Sequence, residues 1–180
     1  MLKAATFCAL MVASSTAGAF EISSPDIAPG AKIAEEQVFS GFGCKGGNIS
    51  PALKWSGAPA GTKSFALMVY DPDAPTGSGF WHWVMFDIPP SVTELPKGAG
   101  DPKSGKAPQG ATQSRTDFGV PGYGGPCPPQ GDPAHHYHFM LFAVDAAKLG
   151  PDADTSAAVV GFNLHFHTLA KTELVGLYGH

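Results

Sequence analysis

Charged side chains are few in this chain. Lys, Arg, Asp and Glu make up 14% of its 180 residues, and the balance is −4 at pH 7. Docking on nucleic acid, or on an anionic membrane through a polybasic segment, needs clustered Lys and Arg, and the chain has no such cluster. Long apolar runs are missing as well. The most apolar stretch, Ala4 to Ala13, is far shorter than the roughly 20 residues that a transmembrane helix requires. There is no internal repeat, no low-complexity tract and no composition shift that would mark a domain boundary. The hydrolase and zinc-protease signatures G-x-S-x-G and H-E-x-x-H are also absent.

What is present is glycine, proline and apolar side chains. The 23 glycines and 17 prolines stand beside an apolar fraction of 43%, which predicts a loop-rich but ordered domain. The first nineteen residues read as a secretory signal, with Lys3 as a short positive region, an apolar run, and Ala17-Gly18-Ala19 as the cleavage pattern. Cleavage near Ala19 leaves residues 20–180 as one domain, long enough for a core. Its net charge is −5, since Lys3 is the one charge removed from −4. The expected location is periplasmic or secreted. Cys8 leaves with the signal, so Cys44 and Cys127 remain, each in a Gly/Pro-rich loop. In an oxidising compartment they are expected to pair. A bridge closing so long a loop is worth roughly 4 kcal/mol on the chain-entropy account; two separate free thiols are the alternative.

Along the chain, Phe20–Ser24 and Lys32–Phe39 alternate as short strands do. Gly41-Phe42-Gly43-Cys44-Lys45-Gly46 has the letters of a dinucleotide loop, but Asn48-Ile49-Ser50-Pro51 follows where a helix would have to start. The glycines instead suit tight turns, and no cofactor is expected. Asn48-Ile49-Ser50 is also a glycosylation acceptor in a eukaryotic host. Leu53–Trp55 is a brief strand. Ser64–Tyr70 is the most strand-like run, and it ends in Asp71-Pro72-Asp73-Ala74-Pro75, where proline stops pairing. A strand from Trp83 to Ile88 follows, then a Gly/Pro-rich loop over 97–133. His135–Val144 is apolar on both faces after its polar start, as in a central strand. A helix capped by Asp154 or Thr155 is expected to run to about Phe166, with Ala158, Phe162 and Phe166 on one face. Leu174–Tyr178 closes as a strand. The expected fold is mainly β, an antiparallel sandwich with one or two short helices at its periphery.

Asp71 closes one strand, while His82 and His135 open the next two long ones. If these strands are neighbours, the three side chains meet at one sheet edge. An aspartate can fix an imidazole tautomer or accept a proton from a protonated phosphate oxygen or an ammonium group. Trp81, Trp83 and Tyr123 are expected as aromatic walls, and the Gly124-Gly125-Pro126 turn as a source of backbone N–H donors.

Asp71-Pro72-Asp73-Ala74-Pro75, Trp81-His82-Trp83, and Asp117-Phe118-Gly119 through Tyr123-Gly124-Gly125-Pro126-Cys127-Pro128-Pro129 into His135 resemble the phosphatidylethanolamine-binding proteins. Gly41-Phe42-Gly43-Cys44 with Asn48-Ile49-Ser50-Pro51-Ala52-Leu53 is similar to their bacterial, Raf-kinase-inhibitor-like branch. The resemblance spans the chain after the signal. It implies a β-sandwich with a small pocket for phosphate, acetate or a phosphoethanolamine head group, and a possible kinase or protease target. Carried over by motif position, the ligand-binding residues are Asp71, His82 and His135, with Asp73, Pro129 and Tyr137 lining or supporting them; Trp83 and Tyr123 join as walls. The chain departs from the family pattern at His136, where a basic residue is usual, and at Cys127, where eukaryotic members carry glycine. It also lacks the long C-terminal helix of animal members.

A hydrolase using Asp71 or His82 as general base is the alternative, but the sequence offers no nucleophile for it. Metal binding by His135, His136 and His138 is disfavoured because neighbouring strand residues point to opposite faces. His165 and His167 fall at the helix end and its exit, and no metal site is expected.

Overall fold

The computed structural model describes residues 18–180. The expected signal therefore lies outside the described residues, apart from Gly18 and Ala19. In chain order the elements are β1 (Glu21–Ser23), β2 (Ser40–Gly41), β3 (Cys44–Lys45), β4 (Leu53–Ser56), β5 (Ser64–Asp71), β6 (Phe80–Ile88), β7 (Glu94–Leu95), β8 (Thr112–Gln113), β9 (His135–Val144), α1 (Ala157–His167) and β10 (Thr168–Tyr178). A five-stranded sheet runs β10-β9-β5-β6-β8, a three-stranded one β1-β4-β7, and β2-β3 is a small hairpin. Every strand pair is antiparallel.

The double-sided apolar runs settle at the centre of the large sheet, because alternate side chains there must be buried on both faces. From β5, Phe65, Leu67 and Val69 join Trp83 and Met85 of β6 and Tyr137, Phe139 and Leu141 of β9 in the main core, against Leu53 and Trp55 of the smaller sheet. The alternate positions, Ala66, Met68, Val84, Phe86 and Val144, face α1 through Ala157, Val160 and Leu164. The large sheet is thus sandwiched between the small sheet and one helix, as the sequence implied.

Three expectations change. Lys32–Phe39 is not a strand: the chain turns at Glu35–Gln37, with the Gln37 N–H on the Ala34 carbonyl and the Val38 N–H on that of Glu35. Its alternation survives because Ile33 and Val38 are still buried. The helix begins at Ala157 after Ser156, and the face that carries Ala158, Phe162 and Phe166 is turned away from the sheet. Val160 and Leu164 are buried, whereas Phe162 and Phe166 are 65% and 63% exposed. A helix that is apolar on most sides does not specify its buried stripe by pattern; the branched aliphatic side chains fit the sheet, and the two rings pack edge to face on each other outside it. The closing strand begins at Thr168, six residues early, because it continues directly from the helix. The long 97–133 connection contributes β8 to the edge of β6 through Met85–Gln113 and Phe86–Thr112.

Cys44 and Cys127 are brought together with their sulfurs at bonding contact and Cα atoms 6.0 Å apart, inside the range a disulfide spans. This contact sets the β2-β3 hairpin against the Pro126–Pro129 loop.

Candidate functional site

The strand order explains the convergence. β5 lies between β9 and β6, so the last residue of β5 meets the first residues of both neighbours: Asp71 is in register with Phe80, and Tyr70 with Trp81 and with His138. Asp71, His82 and His135 therefore reach one rim, and all three are buried. His135 Nδ1 lies 2.8 Å from Asp71 Oδ2. The other Asp71 oxygen accepts the Asp73 N–H at 2.9 Å, so the carboxylate holds both the imidazole and the first turn of its own loop. Asp132 stands 3.7 Å from the far nitrogen of His135.

His82 hydrogen-bonds through Nδ1 to the Gly124 carbonyl at 2.8 Å. With the proton on Nδ1, Nε2 is left as an acceptor. Burial pushes the His82 pKa below its ordinary value, opposed by the Gly124 carbonyl and the Asp71 charge, and desolvation of a cation is the expected cause among so many rings. Phe80, Phe118 and Tyr137 pack around it at centroid distances of 5.1, 5.5 and 5.1 Å.

These groups open on a cavity of about 220 Å³ lined by Asp71, His82, His135, Tyr137, Pro129 and the rings of Phe42, Phe80 and Phe118, with Ala74, Pro75, Thr76, Cys127 and Pro128 completing it. No lysine or arginine is among them. The Tyr137 hydroxyl is buried without a hydrogen-bond partner. Gln37, Trp55 and Ser114 carry similar unpartnered atoms, but only Tyr137 lines this cavity. Burial, reinforced by the charge of the Asp71 carboxylate and by the hydroxyl's approach to it, raises its pKa; that approach falls short of a hydrogen bond of ordinary geometry, so the phenol remains able to donate to a guest. Two acceptors and one free donor, walled by aromatic rings, make a small polar pocket in apolar surroundings.

Asp71, His82, His135, Tyr137 and Pro129 thus come together as expected. Asp73 does not line the cavity. Its Oδ2 accepts the His136 N–H at 2.8 Å and lies 2.7 Å from His136 Nδ1, and these bonds hold its carboxyl below the usual range. The pair clamps the β5–β6 loop to β9, which gives His136 a structural role. Trp83 and Tyr123 are not walls. Trp83 is in the core with its Nε1 donating to Gln113, and Tyr123 is buried against it, its hydroxyl on the Gln37 carbonyl. Trp83 pairs with Val69, two residues inward from Asp71 on the same sheet face, so it lies deeper in the core than the rim. The Gly124 and Gly125 amides are also spent, on the His82 carbonyl and on Asn48 Oδ1 respectively.

The real walls are phenylalanines that the motif reading passed over. Asp117 Oδ2 accepts the Trp81 N–H at 2.8 Å and so sets Phe118 over His82. Phe42 sits at the hairpin tip with φ 53° and 76% exposure, a conformation rare for a bulky residue. It packs toward Phe39 and Phe118 at 5.2 and 5.9 Å. The signal was in the sequence: a large apolar residue between two glycines, two residues before a cysteine.

Residues 23–179 match the family model described as phosphatidylethanolamine-binding protein. The chain is 49% identical over 177 residues to the UPF0098 protein YbcL of Escherichia coli, covering 98% of this chain and 97% of the relative. It is 47% identical over 157 residues to YbhB of the same bacterium, covering 86% and 97%. The crystal structure of E. coli YbcL, described as a new member of the mammalian PEBP family, superposes with a TM-score of 0.88 at 50% identity over 89% of this chain and 98% of that one. A putative phosphatidylethanolamine-binding protein homologue from Chlamydia trachomatis gives 0.75 at 30% identity, over 90% and 98%.

Proposed function

The chain belongs to the phosphatidylethanolamine-binding protein family, and from that premise we propose that it is an exported, non-catalytic binding protein whose cavity holds a small, singly charged phosphate such as a phosphoethanolamine or phospholipid head group. One observation carries this reading: Asp71, His135, His82 and the unpartnered Tyr137 hydroxyl converge in one aromatic-walled cavity of about 220 Å³. Tyr137 can donate to a phosphate oxygen, while Asp71 and His82 Nε2 can accept from a P–OH or an ammonium. With no lysine or arginine in the lining, a second negative charge on the guest would be left facing the Asp71 carboxylate. A kinase or protease target would engage the rim through a phosphorylated side chain only in its singly charged form, which dominates below about pH 6.

Binding rather than turnover is favoured by the lack of an activated nucleophile in the cavity lining. The Thr76 hydroxyl in the lining donates to the Gly79 carbonyl, and Cys127 is held against Cys44. The signal over residues 1–19 and the cysteine pair together support a periplasmic or secreted location. Calorimetric titration of phosphoethanolamine into the protein and into His82→Ala, His135→Ala and Tyr137→Phe tests the assignment. Weakened binding in all three is expected, and equal affinity across the set refutes the site. Hydrolysis of a phosphoester panel that is lost in Asp71→Asn would instead make the protein a hydrolase.

A further inference from the structure

One grouping of three metal-donor side chains occurs among the described residues, and only one of its members, Cys127, touches the cavity: Cys44, Cys127 and His180, whose donor atoms all fall within 4.8 Å of one another. We propose that, once the cysteine pair is reduced, these three residues form a binding site for one thiophilic d10 cation of the zinc(II) class. The inference does not depend on what the cavity holds.

His180 is anchored. Its carbonyl accepts the Gly131 N–H at 3.2 Å and its ring stacks on Tyr178 with centroids 6.1 Å apart; its Nε2 lies 2.9 Å from the Pro128 carbonyl, a bond that the cation would replace. That leaves Nε2 3.7 Å from the Cys44 sulfur. A tetrahedral zinc with Zn–S near 2.3 Å and Zn–N near 2.05 Å sets its sulfur and nitrogen ligands ~3.6 Å apart, so this edge of the coordination shell is already in place. The other edge forms when the Cys127 sulfur swings away from Cys44 by side-chain rotation. Cys44 is buried, Cys127 partly so and His180 exposed, which gives a cation a buried anchor and an open approach.

The chemistry balances. A dithiol reductant transfers two electrons to the disulfide, which yields two protein thiols and the oxidised dithiol. The cation then displaces both thiol protons, and neutral imidazole supplies its Nε2 lone pair once its proton resides on Nδ1, giving up the Pro128 bond. Two thiolates cancel the 2+ charge, and the fourth position is left to water or an added ligand, as in three-ligand zinc sites. Oxidation to the disulfide removes both sulfur ligands, so metal capture and the redox state exclude each other.

The test is a titration of cobalt(II), as a spectroscopic stand-in, and of zinc(II) into anaerobically reduced full-length protein, with near-ultraviolet circular dichroism to follow the fold. One equivalent with a thiolate-to-cobalt charge-transfer band is expected in the reduced protein and none in the oxidised one. His180→Ala, which keeps both cysteines, should still form the disulfide but lose at least tenfold in zinc affinity. Zinc at 100 times its dissociation constant should move the disulfide equilibrium by two decades, about 60 mV at 29.6 mV per decade. Absence of the band, equal affinity in His180→Ala, or loss of native dichroism on reduction that zinc does not restore would each overturn the proposal.

Discussion

If the cavity selects single charge, the affinity of phosphoethanolamine should fall steeply with pH. The perturbation is the second ionisation of the phosphomonoester, whose pKa is about 6. The cavity lining offers the resulting dianion a carboxylate, Asp71, and no lysine or arginine. A second charge about 4 Å from a carboxylate costs about 4 kcal/mol at an effective dielectric of 20, a discrimination near a thousandfold. Only the monoanion then counts, and its share drops from about nine-tenths at pH 5 to about one-hundredth at pH 8. Calorimetry across that range should show a loss of roughly 100-fold. A histidine that merely lost its proton could mimic this trend, so the control is glycerophosphoethanolamine. Its diester carries one charge throughout, and its affinity should stay level. His82 cannot supply the charge near neutrality, because burial already depresses its pKa. Asp71→Asn should flatten the monoester profile by admitting the dianion. Monoester affinity that is constant or rising from pH 5 to 8 would refute the reasoning, and a parallel fall for the diester would move the titration onto the protein.

Asp71→Ala leaves the His135 Nδ1 proton and the Asp73 N–H without their acceptor. At about 1–3 kcal/mol for each unsatisfied group, calorimetric melting should drop by roughly 5–20 °C for a domain of this size; a drop under 2 °C counts against a structural role for the pair. Leu164→Ala should cost about 2–5 kcal/mol in urea unfolding, while Phe162→Ala should stay within about 0.5 kcal/mol, the reverse of what the aromatic stripe alone suggests. Cys127→Ser removes up to about 4 kcal/mol by chain entropy and unties Phe42 from the wall, so phosphoethanolamine affinity should fall with stability; unchanged affinity would separate the link from the cavity. For His82, the folded pKa lies below the unfolded value, so the unfolded chain takes up the proton first. Stability should therefore decline as pH falls from about 6.5 toward the folded pKa, with a smaller slope in His82→Gln.

The parts that could be read from residues alone are those where one requirement dominates. Ser64–Tyr70 and His135–Val144 must bury both faces, so they became adjacent central strands, and their polar ends had to share a rim. That made Asp71, His82 and His135 legible without coordinates. What could not be read is where a residue satisfies two requirements that only packing separates. Trp83 and Tyr123 are aromatic and close to the rim in sequence, yet each meets its hydrogen-bond need within the core, on Gln113 and Gln37, and so is free to be buried away from the cavity. The Gly124 and Gly125 amides looked available because their partners, the His82 carbonyl and Asn48, lie 42 and 77 residues away. Phe42 is the converse. Its exposure and left-handed backbone make little sense for a core residue, and they follow from what holds it: a two-glycine tip whose next residue, Cys44 after Gly43, is tied across to Cys127. The Phe42 wall is therefore set by the tight β2-β3 tip and by the approach of Cys44 to Cys127 across 83 residues rather than by local propensity, a contact that the strand pattern does not encode.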